Sequence, residues 1–424
     1  MGATSGELGT VSKSSRNFCI YLEFKEHGDY YTAMNPFTEK ARITLTCAKA
    51  MSPFLAAECR ELGFPVISEL EAGVETEATL EECQLLNLRL RTAHRVLYRV
   101  LSFKAKGPDE LYKNTVKFPW EELISSDGYV CINSAVLNNK INDTRFASLK
   151  CKDAIVDRIR ERTGSRPDSG SNTDKTVIFL YWQKDDCMIF IDTSGEALSK
   201  RGYRKIPMTA PMQETLAAGV LMATGWDRKS WLVNPMCGSG TIAIEAALMV
   251  ANIAPGSLRN NFGFMHIKGF DRSYWDGLRQ KAKADVVGRP GRHIIATDID
   301  PNAVRSAKQN ARMAGVEEMI DFSTCDFAQT RIPEDKGIII FNPEYGERLG
   351  DAERLEGTYK KIGDFLKQKC QGWLGYVFTG NMDLSRKIGL RSSKRVIFFN
   401  SRIECRLVEF ELYDGTKKDR RQDK

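Results

Sequence analysis

The sequence predicts an α/β protein whose second half is a parallel β-sheet covered by helices on both faces, preceded by a smaller α+β region. Three observations carry this. After Pro207, the short apolar runs SWLVNP, HIIATD, MIDFSTCD, GIIIFNP and GYVFTG each end in turn residues and alternate with helix-length segments. Strands buried on both faces have that pattern. The first run passes through a glycine-bearing loop into a helical stretch, WLVNPMCGSGTIAIEAALMV. The last two runs, RVIFFN and CRLVEFELY, have no helix-length segment between them, which predicts an antiparallel hairpin at the sheet edge.

The first half reads element by element. RITLTC, from Arg42 to Cys47, alternates with Ile43, Leu45 and Cys47 on one face, a half-buried strand. A helix follows, with Ser52 as its cap, Pro53 in its first turn and Gly63 before Phe64-Pro65 as its end. Thr79 and Glu82 form a capping box for a second helix through QLLNLRLRTAHRVLYRV. Together these predict a ferredoxin-like unit over residues 42–106, after an N-terminal extension at 1–41. Residues 107–205 hold a basic amphipathic helix, KCKDAIVDRIRERTG, and a polar loop, GSRPDSGSNTDK. The strand pair TVIFLYWQ and CMIFIDTSG and the basic connector LSKRGYRK follow. The sheet domain occupies 206–414, and the basic tail at 415–424 predicts disorder.

Composition excludes several classes. With 42% hydrophobic and 28% charged residues, the chain has no apolar run of membrane-spanning length and no signal-peptide pattern. Eleven cysteines, an odd number without a C-x-x-C, predict reduced thiols in a cytoplasmic protein. The four histidines have no ligand spacing, so no metal is expected. A net charge of +7 permits a nucleic-acid partner without requiring one.

The chemistry lies at strand ends. Gly238 and Gly240 let the chain turn tightly and a ligand approach the backbone at a helix start. A dinucleotide site wants G-x-G-x-x-G and an acid about twenty residues on; here Ala243 stands at the third glycine, and the next strand-end acid, Asp298, is far downstream. S-Adenosylmethionine has no phosphate and needs acids for its ribose hydroxyls and adenine amine. Asp298 and Asp326, at successive strand ends, fit that pair of clamps. Phe327 is either an adenine-stacking ring or core filler. In GIIIFNPEYGERLG, the Asn342 carboxamide and Pro343 carbonyl can accept both N–H groups of an exocyclic amine. Its nitrogen then pyramidalises and becomes nucleophilic. Tyr345 offers a stacking face, worth about 1–3 kcal/mol per base in single-strand binders.

With these residues in view, the chain resembles the THUMP-domain RNA methyltransferases that modify the N2 amine of guanine, above all those acting on bacterial 23S rRNA. The resemblance covers nearly everything after residue 42. It is carried by TAPMQETLAAGVLMATGWD, NPMCGSGTIAIEAAL, ATDIDPNAVRSAKQNARMAGV, NPEYGERLG and NSRIECRLVEFEL. It implies a class I, Rossmann-like, seven-stranded S-adenosylmethionine methyltransferase domain preceded by a ferredoxin-like/THUMP RNA-binding region. Pro235, Met236, Cys237, Gly238, Ser239, Gly240 and Thr241 would line the methionine part. Asp298 and Ile299 would meet the ribose, and Asp326 the adenine. Thr209, Glu214 and Thr215 would lie near the cofactor carboxylate, where Gln213 replaces the family's usual lysine. Residues 252–292 match the family's helical insertion.

The departure is Glu344, where the family has a second proline. Three readings follow: an active enzyme with a tolerated change, an enzyme on an altered substrate such as tRNA, or an RNA-binding ribosome-assembly protein with weakened catalysis. The first is favoured because the other motif elements are intact. For RNA, the expected contacts are Arg91, Arg95 and Arg99 on one helical face, Lys150 and Lys152 beside the amphipathic helix, and Arg201 and Arg204 in the connector. The THUMP resemblance makes large-subunit rRNA the expected partner.

Overall fold

The computed structural model describes residues 37–138, 143–204, 212–288, 291, 293–345 and 352–413. Most of the N-terminal extension and the basic tail lie outside them. The first half comprises β1 (Ala41–Thr46), α1 (Ser52–Glu61), β2 (Ser68–Leu70), β3 (Gly73–Ala78), α2 (Glu82–Arg89) and β4 (Arg95–Lys104). After these come α3 (Pro108–Thr115), β5 (Tyr129–Leu137), α4 (Thr144–Thr163), β6 (Asp168–Ser169), β7 (Thr176–Gln183) and β8 (Asp186–Asp192). All eight strands form one sheet in the order β2-β3-β1-β4-β8-β7-β5-β6. The two N-terminal units therefore share a sheet. They join where β4 and β8 pair antiparallel, across a bulge between Arg99 and Leu101.

The capping box forms: the Thr79 N–H donates to Glu82 Oε2 at 2.8 Å, and the Glu82 N–H to Thr79 Oγ1 at 3.0 Å. The helix that it starts is shorter than the sequence suggests. It ends at Arg89, and RVLYRVLSFK is strand β4, hydrogen-bonded to β1 on one side and β8 on the other. Its β-branched and aromatic residues suit a pleated, half-buried surface, and pairing with distant strands overrides local helical spacing. At α1, Ser52 is the first helical residue; the cap position is Met51, with no side-chain cap bond. Pro53 and left-handed Gly63 do punctuate that helix.

The second half runs through α5 (Glu214–Thr224), β9 (Trp231–Pro235), α6 (Thr241–Val250), α7 (Arg272–Ala284), β10 (Ile294–Asp298), α8 (Pro301–Met313) and β11 (Ile320–Thr324). It continues with β12 (Gly337–Phe341), α9 (Ala352–Lys369), β13 (Leu374–Thr379), α10 (Met382–Lys387), β14 (Lys394–Asn400) and β15 (Ile403–Glu411). The sheet order is β11-β10-β9-β12-β13-β15-β14. Its first five strands are mutually parallel; β15 inserts antiparallel between β13 and edge strand β14. Alternate residues enter two separate cores: Leu232, Ile294, Ile338 and Ile340 on one face, Val233, Ile295, Ile339 and Phe341 on the other. Continuous apolar runs are therefore required here, because neither face meets water.

The segment from Asn252 to Asp285 ties the halves together. A Cβ on Gly263 would lie 2.1 Å from the Asp192 carbonyl oxygen, and one on Gly256 would lie 2.6 Å from that of Asn87. Only glycine permits such backbone-to-backbone approach. Phe264 N–H donates to Thr193 O at 3.0 Å and Lys268 N–H to Leu123 O at 2.9 Å. Arg89 and Asp285 add an ion pair.

Candidate active site

Parallel register decides what meets at the sheet's carboxyl edge. Thr297 of β10 lies beside Pro235 of β9, and Asp298 beside Thr324 of β11. On the other side of β9, Ile339 of β12 pairs with Val233, and the Asn234 Nδ2 donates to Ile340 O at 2.9 Å. Asp326, Asp298, the loop after Pro235 and Asn342-Pro343 therefore stand in that order along one edge. At about 4.8 Å per strand they span roughly 14 Å. Open α/β sheets bind ligands at this edge.

The loop is wound tightly. Met236, Gly238 and Gly240 all have positive φ, at 56°, 55° and 81°. For Met236 this is an uncommon conformation. A Cβ on Gly238 would have nothing within 4 Å, whereas one on Gly240 would press Ala307 Cβ at 2.9 Å. The first glycine thus opens the cradle and the second lets α8 pack closely. Asp298 braces the turn: its Oδ2 accepts the Gly238 N–H at 2.8 Å and its Oδ1 the Asp300 N–H at 3.0 Å. A carboxylate has about four acceptor sites, so two remain, enough for a ribose diol. Next to it, Ile299 is 69% exposed, an apolar surface beside the acids. Asp326 is exposed, and its Oδ1 accepts the Ala328 N–H at 2.8 Å. The buried Asn234 Oδ1 has no partner among the described residues. A buried acceptor without a donor is costly unless a ligand supplies one. This donor set suits a nucleoside-bearing amino acid and has no phosphate or metal character. Among the described residues no cluster of metal-ligating side chains occurs.

At the end of β12, Asn342 is half-buried, Pro343 buried and Glu344 exposed. No hydrogen bond to the Asn342 carboxamide is made within the described residues, so its oxygen keeps its acceptor capacity. The Glu344 carboxylate turns to solvent and pairs with Arg354 of α9 at 2.7 Å. Its carbonyl accepts from the Tyr359 hydroxyl at 3.3 Å, which also meets Thr379 Oγ1 at 2.8 Å. The Tyr345 hydroxyl accepts from Asn400 Nδ2 at 2.8 Å. Helix α9 thus holds Glu344 through its carbonyl and carboxylate, and the β14–β15 hairpin holds the Tyr345 ring.

Of the other expected site residues, Glu214 adjoins the loop through Arg204, which also donates to Thr241. Thr215 is fully buried, and its hydroxyl meets His94 Nε2 at 3.0 Å, not the loop. Burial, with Arg95 and Arg201 adding, lowers the His94 pKa to about 4, so this ring is neutral at pH 7. Glu214 is buried beside Arg204 at 3.3 Å; burial pushes its carboxyl above the usual range and Arg204 pulls it partly back. Phe327 packs edge-on against Phe341 and Phe365 in the core. Thr209 lies outside the described residues.

The arginines are redistributed as well. Arg91, Arg95 and Arg99 share no helical face, because Arg91 follows α2 and the other two lie on β4. Arg95 pairs with buried Asp192, and Arg91 Nη2 donates to Ile253 O at 2.8 Å. Arg201 is 2% exposed; it donates to Leu198 O at 2.8 Å and faces Glu245 at 3.6 Å. Arg204 Nη2 donates to Met212 O at 2.8 Å and Thr241 Oγ1 at 3.1 Å. The connector therefore braces helix α6 and presents no phosphate-binding face at Arg201. Replacing Arg201 with alanine removes the facing charge from the fully buried Glu245 and leaves it the Tyr203 hydroxyl at 3.1 Å. We expect a loss of about 3–5 kcal/mol in chemical denaturation. A surface arginine would cost less than about 0.5 kcal/mol. Lys150, 5.8 Å over the Phe146 ring, and Lys152 remain at the surface of α4.

Sequence reasoning missed Asn234, Arg204 as a brace, and the Arg354 partner of Glu344. Asn234 had a signal, a polar residue inside an apolar strand run. Arg354 had none, because nothing in the spacing pairs it with a residue ten positions earlier.

Comparison with known proteins accords with this geometry. The RMKL-like methyltransferase domain matches residues 201–409, the THUMP domain 105–192 and the RlmL ferredoxin-like domain 42–97. The chain is 38% identical over 379 residues to a "Ribosomal RNA large subunit methyltransferase K/L" of Syntrophotalea carbinolica, covering 87% of this chain and 53% of that protein. It thus spans about half the length of the K/L relatives it matches. It is 35% identical to the "Putative RNA methyltransferase slr0064" of Synechocystis sp., covering 87% of this chain and 96% of that one. The solved structure of SMU.472, complexed with SAH, matches with a TM-score of 0.81 at 26% identity, covering 89% of this chain and 100% of that one. By domain composition and near full-length similarity, the chain belongs to the RMKL-like methyltransferases that carry a THUMP domain and an RlmL-type ferredoxin-like domain.

Proposed function

We propose that this chain is an S-adenosylmethionine-dependent methyltransferase acting on the exocyclic N2 amine of guanine in structured RNA, with large-subunit rRNA as substrate. One observation carries it: two acids, a tightly wound glycine loop and an Asn-Pro end stand in sequence along one sheet edge. When bound, S-adenosylmethionine supplies an electrophilic methyl group on a sulfonium. Asp298 would hold the ribose hydroxyls through its two remaining acceptor sites, and exposed Asp326 the adenine amine, with Ile299 against the ring. The loop from Pro235 to Thr241, braced by Arg204 and Asp298, would seat the methionine part.

On the substrate side, the Asn342 carboxamide oxygen and the Pro343 carbonyl accept the two amine N–H groups. This withdraws the nitrogen lone pair from ring conjugation and aims it at the methyl. The Tyr345 ring gives the base a stacking partner. After transfer the ammonium-like nitrogen is strongly acidic, so the proton leaves without a dedicated base. Among the described residues no histidine is placed at this strand end. Lys150 and Lys152 serve the RNA backbone from the THUMP region.

Glu344 is the one feature that favours the reading of an RNA-binding protein with weakened catalysis. The ion pair with Arg354 places its charge in solvent and leaves both acceptors of the motif in place. Glu344→Pro should therefore keep or raise the methylation rate on rRNA, by no more than about tenfold, through the stiffer backbone. A clear drop in single-turnover assays would assign Glu344 its own role.

The activity is tested by incubating the protein with trideuteromethyl-labelled S-adenosylmethionine and unmodified 23S rRNA or tRNA transcripts, then analysing nucleosides by mass spectrometry. The expected product is labelled N2-methylguanosine from 23S rRNA. Label only in tRNA moves the substrate; label only in adenosine, or none, overturns the proposal.

A further inference from the structure

We propose that the β14–β15 hairpin is a second RNA-contacting surface, a clamp on the catalytic domain for the phosphates that flank the target base. The inference rests on the RNA substrate proposed above and adds a surface outside the THUMP region.

Charge is the first argument. From Arg391 to Arg406 there are five basic residues (Arg391, Lys394, Arg395, Arg402, Arg406) and one acid, Glu404. Glu404 pairs with Arg406 at 2.9 Å. Arg391, Lys394, Arg395 and Arg402 are all exposed, and none has a carboxylate partner among the described residues; Arg395 meets only the Ser392 hydroxyl, at 3.1 Å. Some exposed cations of this domain are matched, as Arg312 is by Glu317 and Lys387 by Glu356. Unmatched cations along one sheet edge suit a polyanion.

Position is the second. β14 runs toward the catalytic edge, and the turn that follows it packs on the active site. Asn400 donates to the Tyr345 hydroxyl, and a Cβ on Gly380 would meet Ile403 Cγ2 at 2.9 Å and the Tyr345 ring at 3.0 Å. Arg402 in this turn is therefore next to the entry of the base. From there the strand carries Arg395 away along the sheet edge over roughly 20 Å, or about three phosphate steps of an extended strand, while Lys394 turns to the opposite face beside Val396. Ile397, 44% exposed and paired with Arg406, adds an apolar surface within the basic stripe.

Protection of an edge strand against aggregation accounts for Lys394 and Arg395. It does not account for Arg391 and Arg402, which lie outside the strand, one on each side.

The test compares wild type with the triple variant Arg391→Glu/Arg395→Glu/Arg402→Glu, using filter binding to in vitro-transcribed 23S rRNA across KCl concentrations and calorimetry with SAH. The variant should bind RNA more than about tenfold more weakly, with the slope of log Kd against log [KCl] shallower by about two to three. SAH affinity should stay unchanged, and the corresponding triple lysine variant should keep RNA affinity. If charge reversal also lowers SAH affinity, the triple glutamine variant is read in its place. Equal RNA affinity and slope in a variant that binds SAH normally overturns the clamp while leaving the methyltransferase reading intact. Hairpin-dependent RNA binding by a wild type that transfers no methyl group supports the clamp and removes the activity. A wild type that binds no RNA removes both.

Discussion

Replacing Asn342 with alanine should lower the methyl-transfer rate about 10²–10³-fold, the effect of removing one preorganised hydrogen-bond partner from a developing transition state. The carboxamide has no structural duty within the described residues, so its loss leaves no buried group stranded. Its acceptor role is exercised only as the amine nitrogen pyramidalises. Interactions of that kind appear in kcat and not in ground-state binding. SAH affinity should stay within about twofold, because the ribose and adenine contacts lie two and three strands away. Single-turnover methylation and calorimetry separate these quantities. Retained turnover would remove the acceptor mechanism, and lost SAH affinity would make Asn342 a cofactor ligand instead.

Replacing Asp298 with alanine should have the opposite signature. Two charge-assisted hydrogen bonds to ribose hydroxyls, each worth about 1.5–3 kcal/mol, disappear. So do the bonds that hold the Gly238 and Asp300 amides. SAH affinity should fall about 10²-fold or more, at about 1.4 kcal/mol per factor of ten. The turnover number at saturating cofactor should fall much less. Asp298→Asn, which keeps one acceptor and the shape, should lie between. Unchanged SAH binding in the alanine variant would mean that the acid only braces the loop.

How far the sequence carries depends on whether the deciding interactions are local. The strands around Leu232, Ile294 and Ile338 were legible because burial on both faces demands continuous apolar runs. The turns at Gly238 and after Phe341 were legible because glycine and proline mark backbone conformation directly. β4 was not. Arg91, Arg95 and Arg99 have helical spacing, but residues four apart also share a strand face, and the choice is made by β1 and β8, the latter some ninety residues away. The inward turn of Arg201 was hidden for the same reason. A clue did exist: Glu245 is the only charge in the apolar helix TIAIEAALMV, and a buried carboxylate requires a partner from elsewhere. Glu344 looked disruptive in sequence, and only the position of Arg354 on α9 shows its charge to be held at the surface.

The central claim is that the end of β12 presents two acceptors across from a cofactor seated on the neighbouring strand ends. A crystal structure with SAH bound tests it most directly. The account predicts the ribose on Asp298, the adenine beside Ile299 and Asp326, and the sulfur facing the Asn342 carboxamide across a gap that admits a purine. A carboxamide turned away from the sulfur, or a cofactor lying elsewhere than this edge, would contradict it.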